Sequence, residues 1–303
     1  MKKKKYLIVI AGPTAVGKTD LSIRLAQYFD TEILSADSRQ FYKELNIGTA
    51  KPSPKELFQV RHHLINSHSI QEYYHVGQYE VDALAILEDI FAKKDVAVLV
   101  GGSGLYIKAL CDGMDKMPET DLEIRKELTL IWQSQGLEVL LDELKVSDPD
   151  YFEQVDRANT HRIIRALEVC RISGLPFSSF RTQAAVERPF FCIKIALQRD
   201  RELLYQRIEQ RMDQMLEQGL IEEASTLLPY ENHSALQTVG YQEVFGYLKG
   251  DYDQEEMVRL LKRNSRRYAK RQFTWFRKDE GMVWFEPTQE AEILRHIQSA
   301  INS

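Results

Sequence analysis

The glycine-rich segment at residues 12–19 constrains the fold of this chain more than any other feature. It follows an apolar run at residues 6–11 and precedes an amphipathic pattern at residues 18–29, which indicates a strand, a loop and a helix in that order. The segment is a complete G-x-x-x-x-G-K-[ST] match, made of Gly12, Pro13, Thr14, Ala15, Val16, Gly17, Lys18 and Thr19. In such a loop the backbone amides and the helix N-terminus converge on one anion, and the lysine adds a positive charge. We therefore predict a di- or triphosphate site, with a simple glycine turn as the alternative.

The remaining patterns predict an α/β protein with a helical insertion. Short runs of Ile, Val and Leu at residues 32–36 and 96–100 are typical of buried parallel strands with crossover helices. Helical patterns dominate from residue 118 onward, where residues 120–123 read as a capping box that opens a helix. We predict a P-loop NTPase-like parallel sheet with flanking helices, made of residues 1–117 and 189–303, and a mostly helical insertion domain at residues 118–188.

The C-terminal third combines long helical patterns with a concentration of positive charge. One helix is predicted over residues 200–228 and another over residues 253–276. Although the net charge is −5, nine basic residues and no acidic one lie from Arg259 to Lys278. Several of these recur at helical intervals, with few acids nearby to pair with them. This favours binding of a polyanion, and a solvated helix face is the alternative.

The cysteines and the N-terminus exclude other classes of protein. Cys111, Cys170 and Cys192 are far apart and form no CxxC pair, which argues against a zinc site and a disulfide framework. Lysines precede the apolar run at residues 6–11, but six residues are too few for a secretory signal or a membrane span. We therefore expect a cytoplasmic protein without a membrane anchor.

The loop alone does not identify the phosphate compound that it binds, so the position of nearby acidic residues matters. An ATP hydrolase usually carries an acid at the end of a buried strand, but the strand at residues 96–100 runs into a glycine-rich turn at residues 101–104. Asp37 follows the strand at residues 32–36 instead, and would face the same edge of the sheet as the loop. Asp37 is thus a candidate catalytic base, with a turn or helix-cap residue as the alternative.

Taken together, these segments resemble the tRNA dimethylallyltransferase family, the isopentenyltransferases that act on tRNA adenine. The loop resembles the family's GPTAxGKT segment, Asp37-Ser38-Arg39-Gln40 its DSxQ segment, and residues 46–52 its IGTAKP segment. Residues 100–106 resemble its VGGTxLY turn, and residues 270–277 continue the likeness near the C-terminus. The resemblance covers nearly the whole chain, in the family's order.

The resemblance implies a reaction and a set of residues. Dimethylallyl diphosphate would give its five-carbon group to N6 of the adenine at position 37, 3′ of the anticodon, in tRNAs that read codons beginning with U. Asp37 would act as general base, while Lys18, Arg211 and a Mg²⁺ ion held by Thr19 would neutralise the leaving diphosphate. The residues that it implies as contacts to the tRNA anticodon stem-loop are Asp37, Ser38, Arg39, Gln40, Ser103, Arg125, His161, Arg162, Ile163, Ile164, Arg165, Lys270, Arg271 and Arg277.

Two other functions remain open from the sequence. A small-molecule P-loop kinase would use Asp37 as base and Arg207 and Arg211 as lid arginines, but leaves the basic helix unexplained. An RNA-binding protein with a degenerate loop conflicts with the intact Gly17-Lys18-Thr19. Arg207 and Arg211 could equally form surface ion pairs with the nearby acids Glu209 and Glu217. We expect a monomer with no obligate protein partner.

Overall fold

The computed structural model describes residues 3–182 and 186–303, and in this part of the chain it has one parallel sheet. The strands are β1 (Tyr6–Ala11), β2 (Ile33–Ser35), β3 (His62–His63), β4 (Val96–Gly101), β5 (Phe191–Leu197) and β6 (Val283–Phe285). The helices of the first part of the chain are α1 (Lys18–Tyr28), α2 (Pro54–Gln59), α3 (Val76–Phe91), α4 (Gly104–Asp112), α5 (Leu122–Gln135), α6 (Leu137–Ser147), α7 (Pro149–Gln154) and α8 (Thr160–Ser173). Those that follow are α9 (Arg201–Glu217), α10 (Leu220–Leu227), α11 (Tyr241–Lys249), α12 (Gln254–Phe276) and α13 (Glu290–Asn302).

The sheet has the strand order β3-β2-β4-β1-β5-β6, and every pair in it is parallel. The central strand β1 is buried at every position, as expected for a strand covered by helices on both faces. One core lies on the side of α1 and another on the side of α3 and α4. The predicted α/β fold class is confirmed, and all strand ends that carry the glycine-rich loop and Asp37 lie at one edge of the sheet.

The chain forms two compact units. One comprises the described residues up to Asp112 together with Glu187–Ser303, and the other is Gly113–Val186 as far as its residues are described. The second unit is helical and has its own core, in which Leu128, Leu140, Ile163 and Leu167 are fully buried. The insertion domain was expected at residues 118–188. Within the described residues, no helix combines the length and apolar character needed to cross a membrane.

Two predicted helix details are wrong. Asp121, not Thr120, caps α5, and its side chain accepts from the backbone of Glu123 and Ile124. With Asp121 as the N-cap, the third helical residue is Ile124, which has no acceptor for the reciprocal bond of a capping box. The Asp121 N–H donates to the Glu168 carboxylate, 3.0 Å away. The helix expected over residues 200–228 is interrupted before α10, because Gly219 adopts a left-handed conformation at φ 100°.

Candidate functional site

The glycine-rich loop, Asp37 and the turn after β4 meet in one cavity of about 700 Å³. The loop follows β1, Asp37 follows β2, and residues 101–104 follow β4, which lies between them in the sheet. A Cβ atom on Gly101 would lie 2.2 Å from the Ala36 carbonyl oxygen, so only glycine permits this approach of the two strand ends. This explains why β4 ends in glycine where a hydrolase would carry an acid.

The glycine-rich loop holds the Lys18 ammonium against its own backbone carbonyl groups. Gly17 begins α1 at φ 112°, a conformation that favours glycine. The Lys18 ammonium donates to the carbonyl oxygens of Gly12 and Pro13, at 3.0 and 2.8 Å. Burial, and then the neighbouring Arg211, lower the pKa of Lys18 to about 7, while the Asp37 carboxylate opposes this shift. A bound anion would therefore stabilise the charged form of Lys18.

Helix α9 brings two arginines to the loop. Arg207 donates to the Ala15 carbonyl oxygen at 2.9 Å, and Arg211 donates to the Thr14 hydroxyl at 3.4 Å. Burial, followed by repulsion from Arg207, lowers the pKa of Arg211. The alternative of surface ion pairs is wrong, because both arginines turn toward the loop and Glu209 pairs with Arg266. Lys18, Arg207 and Arg211 form no ion pair among the residues described.

Asp37 has a fixed orientation at the end of β2. Its Oδ1 atom accepts from the Arg39 N–H at 3.0 Å, and its own N–H donates to the Ser35 hydroxyl at 3.3 Å. The side chain thus shapes a local turn, as the alternative interpretation proposed, and also lines the cavity. Oδ2 makes no hydrogen bond with any residue that the structure describes, so this oxygen is the one available to a substrate proton.

Hydroxyl and amide groups surround Asp37. The Ser38 N–H donates to the Ser103 hydroxyl at 2.9 Å, and the two serine hydroxyls are 3.2 Å apart. The Gln40 amide donates to the carbonyl oxygens of Thr49 and Ala50, both at 3.2 Å, which fixes residues 46–52 along the cavity wall. Of the predicted tRNA contacts, Asp37, Arg39 and Gln40 thus line the cavity, while Ser38 and Ser103 bond to each other next to Asp37.

Helix α12 contributes two cavity residues whose contacts the sequence did not define. The Gln272 side chain accepts from the Thr14 N–H at 2.9 Å and donates to the Gly102 carbonyl oxygen at 3.0 Å, joining the two glycine turns. Tyr268 lines the same cavity, and burial, followed by the Asp37 carboxylate, raises its pKa to about 12. No local motif marks these residues; only their helical spacing of four on a face that turns toward the sheet could have suggested them.

The donor set beside the loop fits Mg²⁺. Thr19, in the first turn of α1, lines the cavity and offers a hard oxygen ligand. The described residues contain no group of three or more His, Cys, Asp or Glu that could hold a metal ion alone. Mg²⁺ usually keeps few protein ligands and takes the rest from phosphate and water, so this sparse set suits a metal that arrives with a diphosphate.

In the second unit, the predicted tRNA contacts fall into two groups. His161 and Arg162 are exposed, whereas the side chains of Ile163 and Ile164 are buried in the unit's core and do not reach its surface. Arg125 and Arg165 both pair with the buried carboxylate of Glu168. The predicted segment thus offers its polar side chains, and not its isoleucines, to solvent.

The basic helix α12 is divided into two halves. Toward its N-terminus, Arg259 pairs with Glu256, Lys262 with Asp213 and Arg266 with Glu209. The expectation of few acids nearby is therefore wrong for this half, because α9 and the first turn of α12 supply them. Toward its C-terminus, Lys270, Arg271 and Arg277 are exposed and form no ion pair among the residues described. This second half also contains the exposed Trp275, while Phe276 is buried.

Comparison with known proteins gives concordant matches. The model of the family described as IPP transferase matches residues 40–279. A tRNA dimethylallyltransferase of Cytophaga hutchinsonii is 51% identical over 297 residues, which covers 98% of this chain and 98% of that protein. The crystal structure of the full-length tRNA isopentenylpyrophosphate transferase of Bacillus halodurans is 36% identical, covers 99% of this chain and 97% of its own, and superposes with a TM-score of 0.73. A eukaryotic dimethylallyltransferase studied acting on tRNA is 27% identical, covers 95% of this chain and 77% of its own, and has a TM-score of 0.78.

Proposed function

The chain belongs to the IPP transferase family, and on that basis we propose that it transfers a dimethylallyl group from dimethylallyl diphosphate to a tRNA adenine. The family predicted from the sequence is thereby confirmed. The acceptor is N6 of the adenine at position 37 in tRNAs that read codons beginning with U, and the products are N6-isopentenyladenosine and diphosphate. The observation that carries the proposal is that Lys18 and Asp37 line one cavity.

The cations at one end of the cavity suit a diphosphate leaving group. As the bond between the allylic C1 atom and the diphosphate oxygen breaks, negative charge gathers on the diphosphate. Lys18, Arg211 and the loop amides stabilise this charge without having to reorganise. Mg²⁺, held through Thr19 and the diphosphate oxygens, would supply further charge stabilisation when bound. Arg207 donates to the Ala15 carbonyl oxygen of the loop and adds a further positive charge beside the diphosphate site.

The carboxylate at the other end suits the amine nucleophile. The adenine amine is a weak nucleophile because its lone pair is delocalised into the ring. It forms the new bond to C1 and loses one proton, which Asp37 accepts at Oδ2 as a general base, while Oδ1 keeps the Arg39 N–H bond. One C–O bond breaks, one C–N bond forms and one proton moves to the carboxylate, so the step is balanced.

The adenine has to leave its stack to reach this carboxylate. Unstacking costs a few kcal/mol in a duplex and less in a loop, and polar groups in the pocket offset the cost. Ser38, Arg39, Gln40 and Ser103 would hold the extruded base next to Asp37. The protonated hydroxyl of Tyr268 adds a donor to the same pocket. We propose the anticodon stem-loop as the bound part of tRNA, the cytoplasm as the place of reaction, and a monomer as the active form.

The decisive experiment offers the protein two labelled donors. Unmodified tRNA is incubated with labelled dimethylallyl diphosphate or with ATP labelled in its terminal phosphate. The proposal predicts label in RNA from the prenyl donor alone, recovered as N6-isopentenyladenosine after digestion. A small-molecule kinase would consume ATP and leave the RNA unlabelled by the prenyl donor, which would overturn the proposal.

A further inference from the structure

The wall segment, residues 46–52 along the cavity, begins on the carboxylate of Glu223 from α10. This carboxylate accepts from the backbone N–H groups of Asn46, Ile47 and Gly48, at 3.2, 2.9 and 3.0 Å. The first residues of the wall segment form a short 3-10 helix, whose leading N–H groups have no partner within the helix, and the N-cap side chain supplies no bond. A side chain 175 residues after Gly48 therefore provides the acceptor that the local sequence lacks.

The hydroxyl of Tyr241, on α11, holds Glu223 in place. Tyr241 is fully buried, and its hydroxyl donates to the Oε1 atom of Glu223 at 2.6 Å. Burial, and then this hydrogen bond, raise the pKa of Tyr241, so the hydroxyl remains a donor. A Cβ atom on Gly48 would lie 2.6 Å from the Tyr241 ring, so the ring packs directly against the wall segment. The Glu223 carboxylate thus accepts four hydrogen bonds, which restrict its movement.

The middle of the wall segment sets the orientation of Gln40. The side-chain nitrogen of Gln40 donates to the carbonyl oxygens of Thr49 and Ala50, both at 3.2 Å. Carbonyl oxygens are acceptors only, so the NH₂ group of Gln40 must be the part that faces them. Its Oε1 atom then lies on the other side, 3.5 Å from the Ser35 hydroxyl, which also accepts from the Asp37 N–H. Gln40 therefore offers an acceptor, and not a donor, on the side of Asp37.

An acceptor at this place suits the amine of adenine. In the proposed reaction the amine gives one proton to Asp37 and keeps the other, and the remaining N–H needs an acceptor of its own. A base with a carbonyl oxygen at the same ring position, such as guanine, has no N–H there to offer. The orientation of Gln40 thus affects both the alignment of the amine and the choice of base.

From this chain of contacts we propose that Glu223 is a positioning residue for the acceptor base: through the wall segment, it keeps the Gln40 carbonyl oxygen directed at the adenine amine. The inference rests on the proposed function, because that function supplies the adenine. Glu223 itself is not among the residues that line the cavity, so it acts through Gln40 and touches neither substrate.

Glu223→Gln tests the proposal with almost no change in shape. Each carboxylate oxygen accepts two of the four bonds, and Gln keeps only one acceptor oxygen, so the start of the wall segment loses half of its partners. We expect kcat/KM for tRNA to fall by about tenfold, the loss that follows when one hydrogen bond to the reacting group is misplaced. Affinity for dimethylallyl diphosphate, measured by calorimetry, should stay at the wild-type value.

A double-mutant cycle with Gln40→Ala adds a readout that a merely structural role would not move. Once Gln40 is Ala, no carbonyl group remains for Glu223 to position, so Glu223→Gln should cause little further loss of kcat/KM. Single-turnover prenyl transfer over a series of tRNA concentrations measures all four proteins of the cycle. Additive losses, or a wild-type kcat/KM in Glu223→Gln, would overturn the proposal.

Glu44→Gln is the matched control. Glu44 also accepts from a backbone N–H, that of Ile70 at 3.1 Å, and from a hydroxyl, that of Ser69 at 2.6 Å, but none of these three residues lines the cavity. Prenyl transfer by Glu44→Gln should equal that of wild type. An equal loss in Glu44→Gln and Glu223→Gln would show a general effect of removing such a carboxylate, and would overturn the positioning role.

Tyr241→Phe keeps the test valid if Glu223→Gln does not fold. It retains the ring against the wall segment and removes only the hydroxyl that holds Glu223, so kcat/KM for tRNA should fall by a smaller factor, again with unchanged diphosphate affinity. A wild-type kcat/KM in Tyr241→Phe would then overturn the inference. Wild-type protein that transfers no prenyl group to tRNA would instead refute the proposed function, so the two failures are distinguishable.

Discussion

The residues at the two ends of the cavity carry opposite charges. At the loop end, Lys18, Arg207 and Arg211 lie together, donate to the loop, and form no ion pair among the residues described. At the other end, the Asp37 side chain accepts from the Arg39 N–H, and its own N–H donates to the Ser35 hydroxyl. A cationic end stabilises a departing diphosphate, and a carboxylate end removes a proton from an incoming amine. The difference implies that the two ends act on different substrates and can be disabled separately.

The largest expected effect comes from the carboxylate end. Asp37→Asn keeps the size of the side chain but removes its basicity, so single-turnover prenyl transfer should fall by at least about 100-fold, the usual lower bound for a general base. Rapid quench with labelled dimethylallyl diphosphate and saturating tRNA measures the rate. Near-normal turnover in this variant would remove Asp37 from the mechanism.

A smaller effect is expected at the loop end. Lys18→Ala removes a cation that faces the diphosphate, and diphosphate affinity should fall by about 10- to 100-fold, since hydrogen bonds to charged groups contribute about 1.5–3 kcal/mol. The affinity of Lys18→Ala for tRNA, measured in a filter assay, should remain close to wild type. Thr19→Ala should likewise lose diphosphate affinity and keep tRNA binding, and its diphosphate binding should depend less on Mg²⁺. If either folded variant lost tRNA binding, the loop would be contacting nucleic acid and the division of the cavity would be wrong.

The two halves of α12 offer a second comparison, at the protein surface, between basic side chains that pair with acids and basic side chains that form no ion pair among the residues described. Changing Lys270, Arg271 and Arg277 together to Gln should flatten the salt dependence of tRNA binding by about two units, because each phosphate contact contributes about 0.7 to 0.9. The matched triple change of Arg259, Lys262 and Arg266 should alter the slope little, because these cations already pair with acids. Equal slopes for the two triples would show that the ion pairs do not decide where tRNA binds.

The smallest expected effect is the uptake of part of a proton when diphosphate binds. Burial lowers the pKa of Lys18 to about 7, and a bound diphosphate would raise it by favouring the ammonium form. At about pH 8 diphosphate binding should therefore take up part of a proton, and affinity should weaken as the pH rises from about 7 to 9. Calorimetry in buffers of different ionisation enthalpy measures the uptake. Lys18→Arg stays charged throughout this range, so its uptake should be lower, and identical uptake in both proteins would contradict the assignment.

The sequence predicted those parts of the site that local patterns define. The loop has a fixed spacing, and Asp37 follows a recognisable strand, so both could be placed at one sheet edge in advance. The short β3 was missed because two residues carry no periodicity. The contacts of Tyr268 and Gln272 in the cavity could not be predicted, because they depend on how α12 packs over the loop. The acids that neutralise half of α12 lie mainly on α9, some 50 residues away in the chain, as in the pair of Lys262 with Asp213.

One series of variants probes both ends of the cavity together. Diphosphate affinity and single-turnover transfer to tRNA are measured on the wild type, Asp37→Ala and Lys18→Ala, with matching circular dichroism spectra as the control for folding. The account predicts a crossed pattern: Asp37→Ala loses at least about 100-fold in rate and keeps diphosphate affinity, while Lys18→Ala loses diphosphate affinity. If Asp37→Ala lost diphosphate affinity as strongly as Lys18→Ala, or transferred the prenyl group at a near-normal rate, the division of labour would be contradicted.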